Sequence, residues 1–598
     1  MFLVANKNDM RARGWDVVDF VIVTGDAYVD HHSFGTAIIG RVLEHYGYKV
    51  AILPQPRTDS ADDFKMYGKP RLGFLINSGA VDSMVNNFSV FKNRRKVDEY
   101  APNGEAGHRP DRAVIVYSNR AREAYKDVPI MIGGLEASLR RFGHYDYWQD
   151  KVRRSILLDS KADLLMYGMG EKSVIEIAEA LDSGLSIKDI TWIRGTSYVA
   201  KSLPDDCIEL PEFNLISEPT DDGKRAYCKS FVTQHANMDA VSAKALAEKY
   251  TDTVYVVQNP PQPPLEQTDL DDVYALPFEN EWHPMYDAMG GIPALKEVKF
   301  SVVSNRGCFG GCAFCAITYH QGRQVRSRSK ESIIDEVTKL AKKPDFKGYI
   351  HDVGGPTANF RKPACTKQLE RGVCPNKDCL YPNPCRNMTV DHSEYFDILR
   401  AVRTVEGVKK VFIRSGIRYD YLLADKHANE YIEELCKYHV SGTLKVAPEH
   451  ISESVLYYMK KPGKDVFLDF DKRYKETNEK LGLKQYLIPY LISSHPGSTL
   501  EDDIELALFL KKYGFVPDQV QDFYPTPGTM STCMYYTEMD PLTMKPIYVA
   551  KNMEDKKMQR ALIHFNKREN RETVVKALIK AHREDLIDVL IPNYYHHR

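Results

Sequence analysis

The stretch VKFSVVSNRGCFGGCAFCAITYHQGR, residues 298–323, decides how the chain is read. It opens on a short, apolar, β-branched run, VKFSVVS (298–304), of the kind that forms a buried parallel strand. A loop follows with Gly307, Gly310 and Gly311, whose backbone can wrap closely around a bulky object. In that loop Cys308, Cys312 and Cys315 stand at C-x3-C-x2-C spacing. Three thiolates suit an iron–sulfur cluster, because its irons prefer soft sulfur ligands. A cube of four irons held by three cysteines leaves one iron open, as catalytic metal sites keep an open position. The alternatives are zinc, which in structural sites favours four closed ligands with C-x2-C pairs, and three incidental thiols.

Outward from the loop, strand and helix patterns alternate. Strands are expected at VKFSVVS (298–304), GYIHDVG (348–354), KKVFIRS (409–415), GTLKVAP (442–448), YLIPYLIS (486–493) and DQVQDFYP (518–525). Helices are expected between them, including KESIIDEVTKLAKK (330–343), NEYIEELCKYHV (429–440) and TLEDDIELALFLKKYG (499–514). Six such units predict a partial (β/α) barrel, whose active site would sit on the loops at the C-terminal ends of the strands.

The first 185 residues alternate in the same way. Strands are expected at DFVIVTG (19–25), YKVAILP (48–54), RLGFLINS (71–78), AVIVYS (113–118), PIMIGG (129–134) and ADLLMYG (162–168). GTAIIGRVLEHYG (35–47) and SVIEIAEALDSG (173–184) read as helices. The pattern predicts a doubly wound, Rossmann-like α/β domain. Residues 186–290 are expected to form a linker or subdomain, with a helix at NMDAVSAKALAEKY (237–250) and an extended connector at NPPQPPLEQTDLDD (259–272). The barrel is assigned to 291–540 and a basic helical tail to 541–598. From Lys545 to Arg583 the tail has eleven Lys/Arg and four Asp/Glu, 11 − 4 = +7, which suits a solvated cap or a phosphate-backbone contact.

Composition sets the outer bounds. With 598 residues, 81 basic and 82 acidic, the net charge of −1 argues against bulk coating of nucleic acid. Hydrophobic residues at 43% and charged residues at 27% exclude a disordered or disulfide-scaffold chain. No run approaches the roughly 20 apolar residues needed to cross a bilayer, and the N-terminus carries charges where a signal peptide has an apolar core. Those two features predict a cytoplasmic protein, off the membrane, where thiols are expected to stay free, bind metal or do chemistry.

Seven of the eleven cysteines fall between Cys308 and Cys385. Cys365, Cys374, Cys379 and Cys385 form a second group within an insertion at 361–390, spaced C-x8-C-x4-C-x5-C. The segment is rich in Pro and Lys and buries little of its own, so a metal would supply its missing cross-link. Four thiolates fit a structural zinc or an auxiliary iron–sulfur cluster, and free or redox-active thiols are the third reading.

The Cys308/Cys312/Cys315 triad, with Phe314 before its third cysteine, resembles the signature of radical S-adenosylmethionine (SAM) enzymes. DAYVDHHSFG (26–35), MIGGLEASLRRFGHYDYW (131–148) and YPTPGTMSTCMYYT (524–537) extend the resemblance to the uncharacterised YgiQ-like subfamily over nearly the whole chain. The resemblance implies that the triad holds a 4Fe–4S cluster and that SAM binds its open iron. One-electron cleavage of the S–C5′ bond then gives methionine and a 5′-deoxyadenosyl radical, which takes hydrogen from a substrate. The electron would come from a reductase such as flavodoxin or ferredoxin.

The resemblance also points to SAM-holding positions at other strand ends. Gly354 and Gly355 stand where relatives often carry Gly-Gly-Glu; Pro356 replaces the acid here, leaving Asp352 or backbone carbonyls for the methionine amine. Arg414 and Ser415 are offered for the carboxylate or ribose, and Ser494, in SSHPGST (493–499), for a turn like that of methylthiotransferase-like members. The N-terminal domain resembles cobalamin-binding modules, and Asp30, His32 and Gly35 give one D-x-H-x-x-G match that would make His32 an axial ligand. That motif is short, and the domain is expected to have kept the fold without cobalamin.

The substrate class stays open between a metabolite and a macromolecule, and the chemistry between methylthiotransferase- and methyltransferase-like outcomes. The basic tail is where RNA would be met. An iron–sulfur electron carrier or redox sensor without SAM turnover is the alternative, and a zinc-stabilised nucleic-acid-binding protein the third. An electron carrier needs a fully ligated cluster and no cofactor pocket, which a three-cysteine loop does not favour.

Overall fold

The computed structural model describes residues 1–515, 517, 520–592 and 594. Strands Phe20–Thr24, Val50–Pro54, Gly73–Ile76, Ile130–Ile132 and Leu164–Met166 pair in parallel. From the outer edge inward, the sheet runs Val50–Pro54, Phe20–Thr24, Gly73–Ile76, Ile130–Ile132, Leu164–Met166. In chain order this is 2-1-3-4-5, a doubly wound arrangement whose switch point lies between Phe20–Thr24 and Gly73–Ile76. Helices Gly35–His45 and Glu171–Asp182 bury Ile38, Val42, Ile177 and Leu181 against one face, which presents Phe20 and Ile22. Helix Ala113–Ala124 buries Val114, Tyr117 and Ala121 against the other, which presents Val21 and Val23. Burial on both faces is why these strands read as unbroken apolar runs.

Two expectations fail in this half. AVIVYS (113–118) is the start of helix Ala113–Ala124, not a strand. Its buried residues, Ala113, Val114, Tyr117, Ser118 and Ala121, follow helical spacing once SNRAREA is read with them. NMDAVSAKALAEKY is not a helix either: helix Asp221–Ala236 ends before it, and its last residues form strand Leu246–Thr251. There Asp239 accepts from the Val241 and Ser242 amides and turns the chain, while Leu246, Ala247 and Glu248 become fully buried between neighbours. Tertiary pairing outweighs the helix propensity of Ala, Glu and Lys.

Residues 186–290 are therefore more than a linker. Thr196–Ala200, Val254–Gln258, Leu246–Thr251 and Ile208–Glu209 continue the N-terminal sheet past Leu164–Met166 to nine strands. The connector at 259–272 is extended only at first, and Gln267–Ala275 is helical.

The second half contains the expected parallel series. Ser301–Val303 pairs with Asp352–Gly354, and Tyr349–Ile350 with Lys410–Val411. Tyr486–Ser493 lies between Thr443–Glu449 and Gln521–Asp522. The strand read at 518–525 is thus short, and its Asp518 and Gln519 lie outside the described residues. Helices Lys330–Ala341, Ser393–Arg403, Ala428–Tyr438 and Lys464–Leu481 supply Ile333, Leu399, Ile432 and Phe470 to one core with Val302, Val353 and Leu444. Each such fully buried aliphatic or aromatic side chain contributes about 1.5–3 kcal/mol.

The tail forms helices Met553–Ile563, Arg571–Lys580 and Ile587–Leu590, whose Leu562, Val574 and Leu578 pack with Ile504 and Leu510 of helix Leu500–Tyr513. Several of its cations are paired: Arg560 with Asp522, Lys580 with Asp555, and Arg583 with Glu501 and Asp585. No helix among the described residues is long and apolar enough to cross a membrane.

Candidate active site

The triad loop leaves strand Ser301–Val303 and is pinned by backbone hydrogen bonds on three sides. Cys308 N donates to Gly322 O (3.1 Å), Ala313 N to Met459 O (3.0 Å), and Ser531 N to Ala313 O (3.0 Å). Gly307 has φ +79°, and a Cβ there would lie 2.1 Å from Gln324 O, so only glycine fits. A Cβ on Gly310 would lie 2.5 Å from Arg418 Nη1 and 3.2 Å from Cys308 Sγ, so its bareness makes room for both. Beneath the loop, Phe309 stacks on Phe360 with centroids 3.8 Å apart.

Each triad sulfur meets donors. Gly310 N lies 3.4 Å from Cys308 Sγ, with Thr357 Oγ1 at 3.8 Å. Arg418 Nη1 donates to Cys312 Sγ at 3.4 Å. The Ile317 and Thr318 amides, opening helix Ile317–Gln321, favour the Cys315 thiolate. Without iron, burial dominates: it raises Cys308 and, with Cys312 and Cys308 nearby, pushes Cys315 up to about 12. Coordination by iron would reverse this balance, because a coordinated thiol is deprotonated by the metal's own charge.

Among the described residues, no three His, Cys, Asp or Glu side chains are placed to hold a single metal ion. A cluster distributes its thiolates over separate irons, so the test of fit is the donor set. Three thiols on one glycine-cradled loop, with amide and guanidinium donors on their sulfurs, suit a negatively charged iron–sulfur cluster.

The strand-end residues are placed unevenly. Phe314 packs edge-on to His495 at 6.1 Å between centroids, and His495 Nε2 is 2.7 Å from Ser531 Oγ. Ser494 is buried at φ +61°, its hydroxyl 3.2 Å from that of Ser493. Gly354 ends strand Asp352–Gly354, where a Cβ would lie 1.9 Å from Ser415 Oγ; one on Gly355 would lie 2.5 Å from Asn305 O. Asp352 is engaged by the amides of Arg414 (2.8 Å) and Ser415 (3.2 Å), so it orients this loop. The Arg414 side chain is 55% exposed and faces Glu297 at 3.9 Å, outside the triad's surroundings.

Arg418, four residues beyond Arg414, turns inward beside the triad. It is 7% exposed, and its Nε and Nη2 grip Asp420 at 2.7 and 3.1 Å while Nη1 reaches Cys312. Burial works against its charge, but Asp420 and the Cys312 sulfur hold it protonated. Glu449, at φ +69° on the end of strand Thr443–Glu449, was also missed. Burial raises its carboxyl, opposed by Lys461 and Arg418. Glu449 is the last residue of its strand and Arg418 lies on the loop between strand Lys410–Val411 and helix Tyr419–Leu423, and a place on the loop side of the strands is the one signal that would have singled them out.

A cavity of about 30 Å³ touches Cys312, Cys315, Arg323 and Thr529. It shares His235, Asp378, Lys460 and Met530 with a larger cavity of about 240 Å³ lined by Tyr381 and Tyr458. Pro375, Asn376, Lys377 and Asp378, between Cys374 and Cys379 of the second cysteine group, line this space. Arg323 donates to Cys374 O (3.1 Å) and Lys377 O (3.0 Å), and Asp378 pairs with Lys460 at 2.9 Å. Thr389 N returns to Ala364 O at 2.8 Å and closes the insertion. Gln368 Nε2 lies 3.6 Å from Cys379 Sγ, whose thiol burial pushes up to about 11, with Cys365, Cys385 and Cys374 near enough to push the same way. The Asn387 amide, and after it Lys377, hydrogen-bonds Cys385 and favours its thiolate.

The N-terminal motif residues are committed elsewhere. Asp30 pairs with Arg41, and His32 is 3% exposed with Nε2 3.3 Å from Glu336. Serving as an axial ligand would require His32 to leave that pocket.

The family described as "Radical SAM N-terminal" matches residues 2–301, and "Radical SAM superfamily" matches 302–510. A "Domain of unknown function (DUF3362)" matches 518–597. A UPF0313 protein of Clostridium botulinum (strain ATCC 19397 / Type A) is 55% identical over 597 residues, 99% of this chain and 92% of that one. A UPF0313 protein of Clostridium perfringens (strain SM101 / Type A) is 56% identical over 589 residues, 98% and 88% of the two chains. Among solved structures, the radical SAM methyltransferase TsrM of Kitasatospora setae, with tryptophan and a SAM analogue bound, aligns at TM-score 0.48 and 13% identity over 86% of this chain and 76% of that one. The cobalamin-dependent SAM radical enzyme OxsB with aqua-cobalamin aligns at TM-score 0.47 and 12% identity over 96% and 72%. Matched along almost its whole length, the chain belongs to the UPF0313 family of the radical SAM superfamily.

Proposed function

We propose that the protein is a radical SAM enzyme whose Cys308, Cys312 and Cys315 hold a 4Fe–4S cluster and whose substrate enters through the cavity bounded by Asp378, Tyr458 and Lys460. The observation that carries this reading is the triad loop: three thiols around Gly310, with Arg418 donating to Cys312. When bound, the cluster and SAM supply one-electron cleavage of the S–C5′ bond and a 5′-deoxyadenosyl radical for hydrogen abstraction.

The chain's residues do the rest. Arg418, held by Asp420, offsets the negative charge of the thiolates and fixes the Cys312 sulfur. Glu449 presents a buried carboxylate near Arg418 and Lys461, suited to an ammonium or ribose hydroxyl. Phe309, Phe360 and Phe314 exclude water around the loop. The Asp378–Lys460 pair at the cavity wall offers an acceptor and a donor to an incoming polar substrate. Cys365, Cys374, Cys379 and Cys385 hold a second metal centre, an iron–sulfur cluster or zinc, that fixes the wall carrying Asp378.

Two experiments test this reading. SAM added to the anaerobically reconstituted protein should shift the electron paramagnetic resonance spectrum of the reduced cluster, and Glu449→Gln should weaken that response. A spectrum unmoved by SAM would favour the electron-transfer alternative. Metal counts on a Cys308→Ala/Cys312→Ala/Cys315→Ala chain should retain iron or zinc at the second group, and a metal-free variant would remove that half of the proposal.

A further inference from the structure

A cavity of about 90 Å³ lies on the seam between the N-terminal sheet, at Tyr167 and Gln258, and the flank of the triad loop, from Arg306 to Arg326. Its charged lining is one-sided: Arg141, Lys172, Arg306, Arg323 and Arg326 face a single carboxylate, Asp239. Four of the cations already have acidic partners: Lys172 with Asp269, Arg306 with Glu171, Arg323 with Asp378, and Arg326 with Glu266. Arg141 makes no salt bridge among the described residues. It is 3% exposed and sandwiched between Tyr167 and Tyr319, 4.3 Å from each ring centroid.

The hydrogen-bond accounting points the same way. Buried and without a partner are Arg141 Nε and Nη1, Arg306 Nη2, Arg323 Nε and Arg326 Nε. Buried donors are ordinarily satisfied, and a buried cation without a counter-charge is costly. Four arginines that line one cavity thus carry five unused N–H-bearing nitrogens, buried behind its surface, and this is a feature to be explained. Guanidinium forks match the oxygens of a phosphate, and the aromatic sandwich holds Arg141 in place to meet one.

This cavity joins a second one of about 140 Å³ through shared Gly168, Met169 and His320. The second is walled by Ile22, Ile38, Ile39, Leu75 and by bare glycines such as Gly133 and Gly134. It sits at the carboxyl ends of Phe20–Thr24 and Gly73–Ile76, the switch point where doubly wound sheets take ligands. The ligand site so formed has a cationic half and an apolar half, and it borders the cavity touching Cys312 and Cys315 through shared Met238, Tyr319 and Arg323.

We infer that this seam binds a small organic phosphate, with its phosphate among Arg141, Arg306, Arg323 and Arg326 and its apolar part against Ile22, Ile39 and Leu75. The ligand would bridge the N-terminal sheet and the triad loop, tying the position of the loop to occupancy of the seam.

The test is calorimetric, on the full-length protein. Inorganic phosphate and 1-naphthyl phosphate are titrated against sodium chloride at equal ionic strength. Saturable binding is expected for both, with 1-naphthyl phosphate tighter by roughly tenfold or more through its buried ring. Arg141→Gln should weaken phosphate by about tenfold, the loss of one charge-assisted pair. Without phosphate this variant should unfold at or above the wild-type urea midpoint, since it removes a cation that lacks a counter-ion. Arg326→Gln, at a half-buried position, is the second variant and should weaken phosphate several-fold. The inference is overturned if the wild type gives no saturable heat beyond the chloride control, if both variants bind phosphate as the wild type does, or if the naphthyl group adds nothing.

Discussion

Arg418→Met tests the electrostatics of the triad directly. The guanidinium is 7% exposed and Asp420 is 4% exposed, joined by bonds of 2.7 and 3.1 Å, with the third donor 3.4 Å from Cys312 Sγ. Methionine keeps the volume of the stem and removes the charge. Asp420 is then a buried carboxylate without its partner, and breaking such a pair from one side costs about 3–5 kcal/mol. Adding Asp420→Asn removes the orphaned charge, so the double variant should regain about 1.5–3 kcal/mol relative to the sum of the singles. The assay is urea unfolding of the metal-free chain followed by far-ultraviolet circular dichroism, with all four chains of the cycle compared. A single variant costing less than about 1 kcal/mol, or a double variant costing as much as the sum of the singles, would refute the pairing argument.

Phe309→Ala removes a fully buried ring stacked on Phe360 and edge-on to Tyr421, and should cost about 3–5 kcal/mol in the same assay. Gly307→Ala combines a left-handed φ with a Cβ 2.1 Å from Gln324 O; the triad loop must shift, and iron content should fall while the N-terminal sheet keeps its fold, as read by hydrogen exchange. Glu248 is fully buried, bonded by Gly143 N and Tyr250 OH, and burial raises its carboxyl from 4.5 to about 7. A raised acid keeps its full stabilising contribution below the unfolded pKa and loses it as pH climbs through 4.5 toward 7. Stability should therefore fall by about 3 kcal/mol across that window, and Glu248→Gln, which keeps an acceptor for Gly143, should flatten the fall in urea midpoints.

What the sequence disclosed, it disclosed through periodicity and spacing. Buried strands such as FVIVT (20–24) and GFLI (73–76) declare themselves because burial on both faces demands unbroken apolar runs. The triad is legible because its three cysteines stand at C-x3-C-x2-C spacing on one short loop. AVIVYS misleads because a run of six residues carries too little phase to tell 2 from 3.6, and only the polar continuation to Ala124 fixes the helix. ALAEKY misleads because its strand is selected by partners outside it, the hairpin neighbour Val254–Gln258 and, far away in sequence, the Gly143 amide. Arg418 was hidden by Arg414, four residues earlier on the same strand-end loop. Which of two arginines turns inward is set by the Asn359 and Asp352 contacts that shape the loop, and no local pattern records those.

The most direct measurement is anaerobic. The protein is reconstituted with iron and sulfide, reduced and given SAM, and 5′-deoxyadenosine is quantified beside Cys308→Ala, Cys312→Ala and Cys315→Ala chains. The account predicts 5′-deoxyadenosine from the wild type and none above background from any of the three variants. An intact cluster that binds SAM but leaves it whole under every reductant tried, or full cleavage by a variant lacking one triad cysteine, would contradict it.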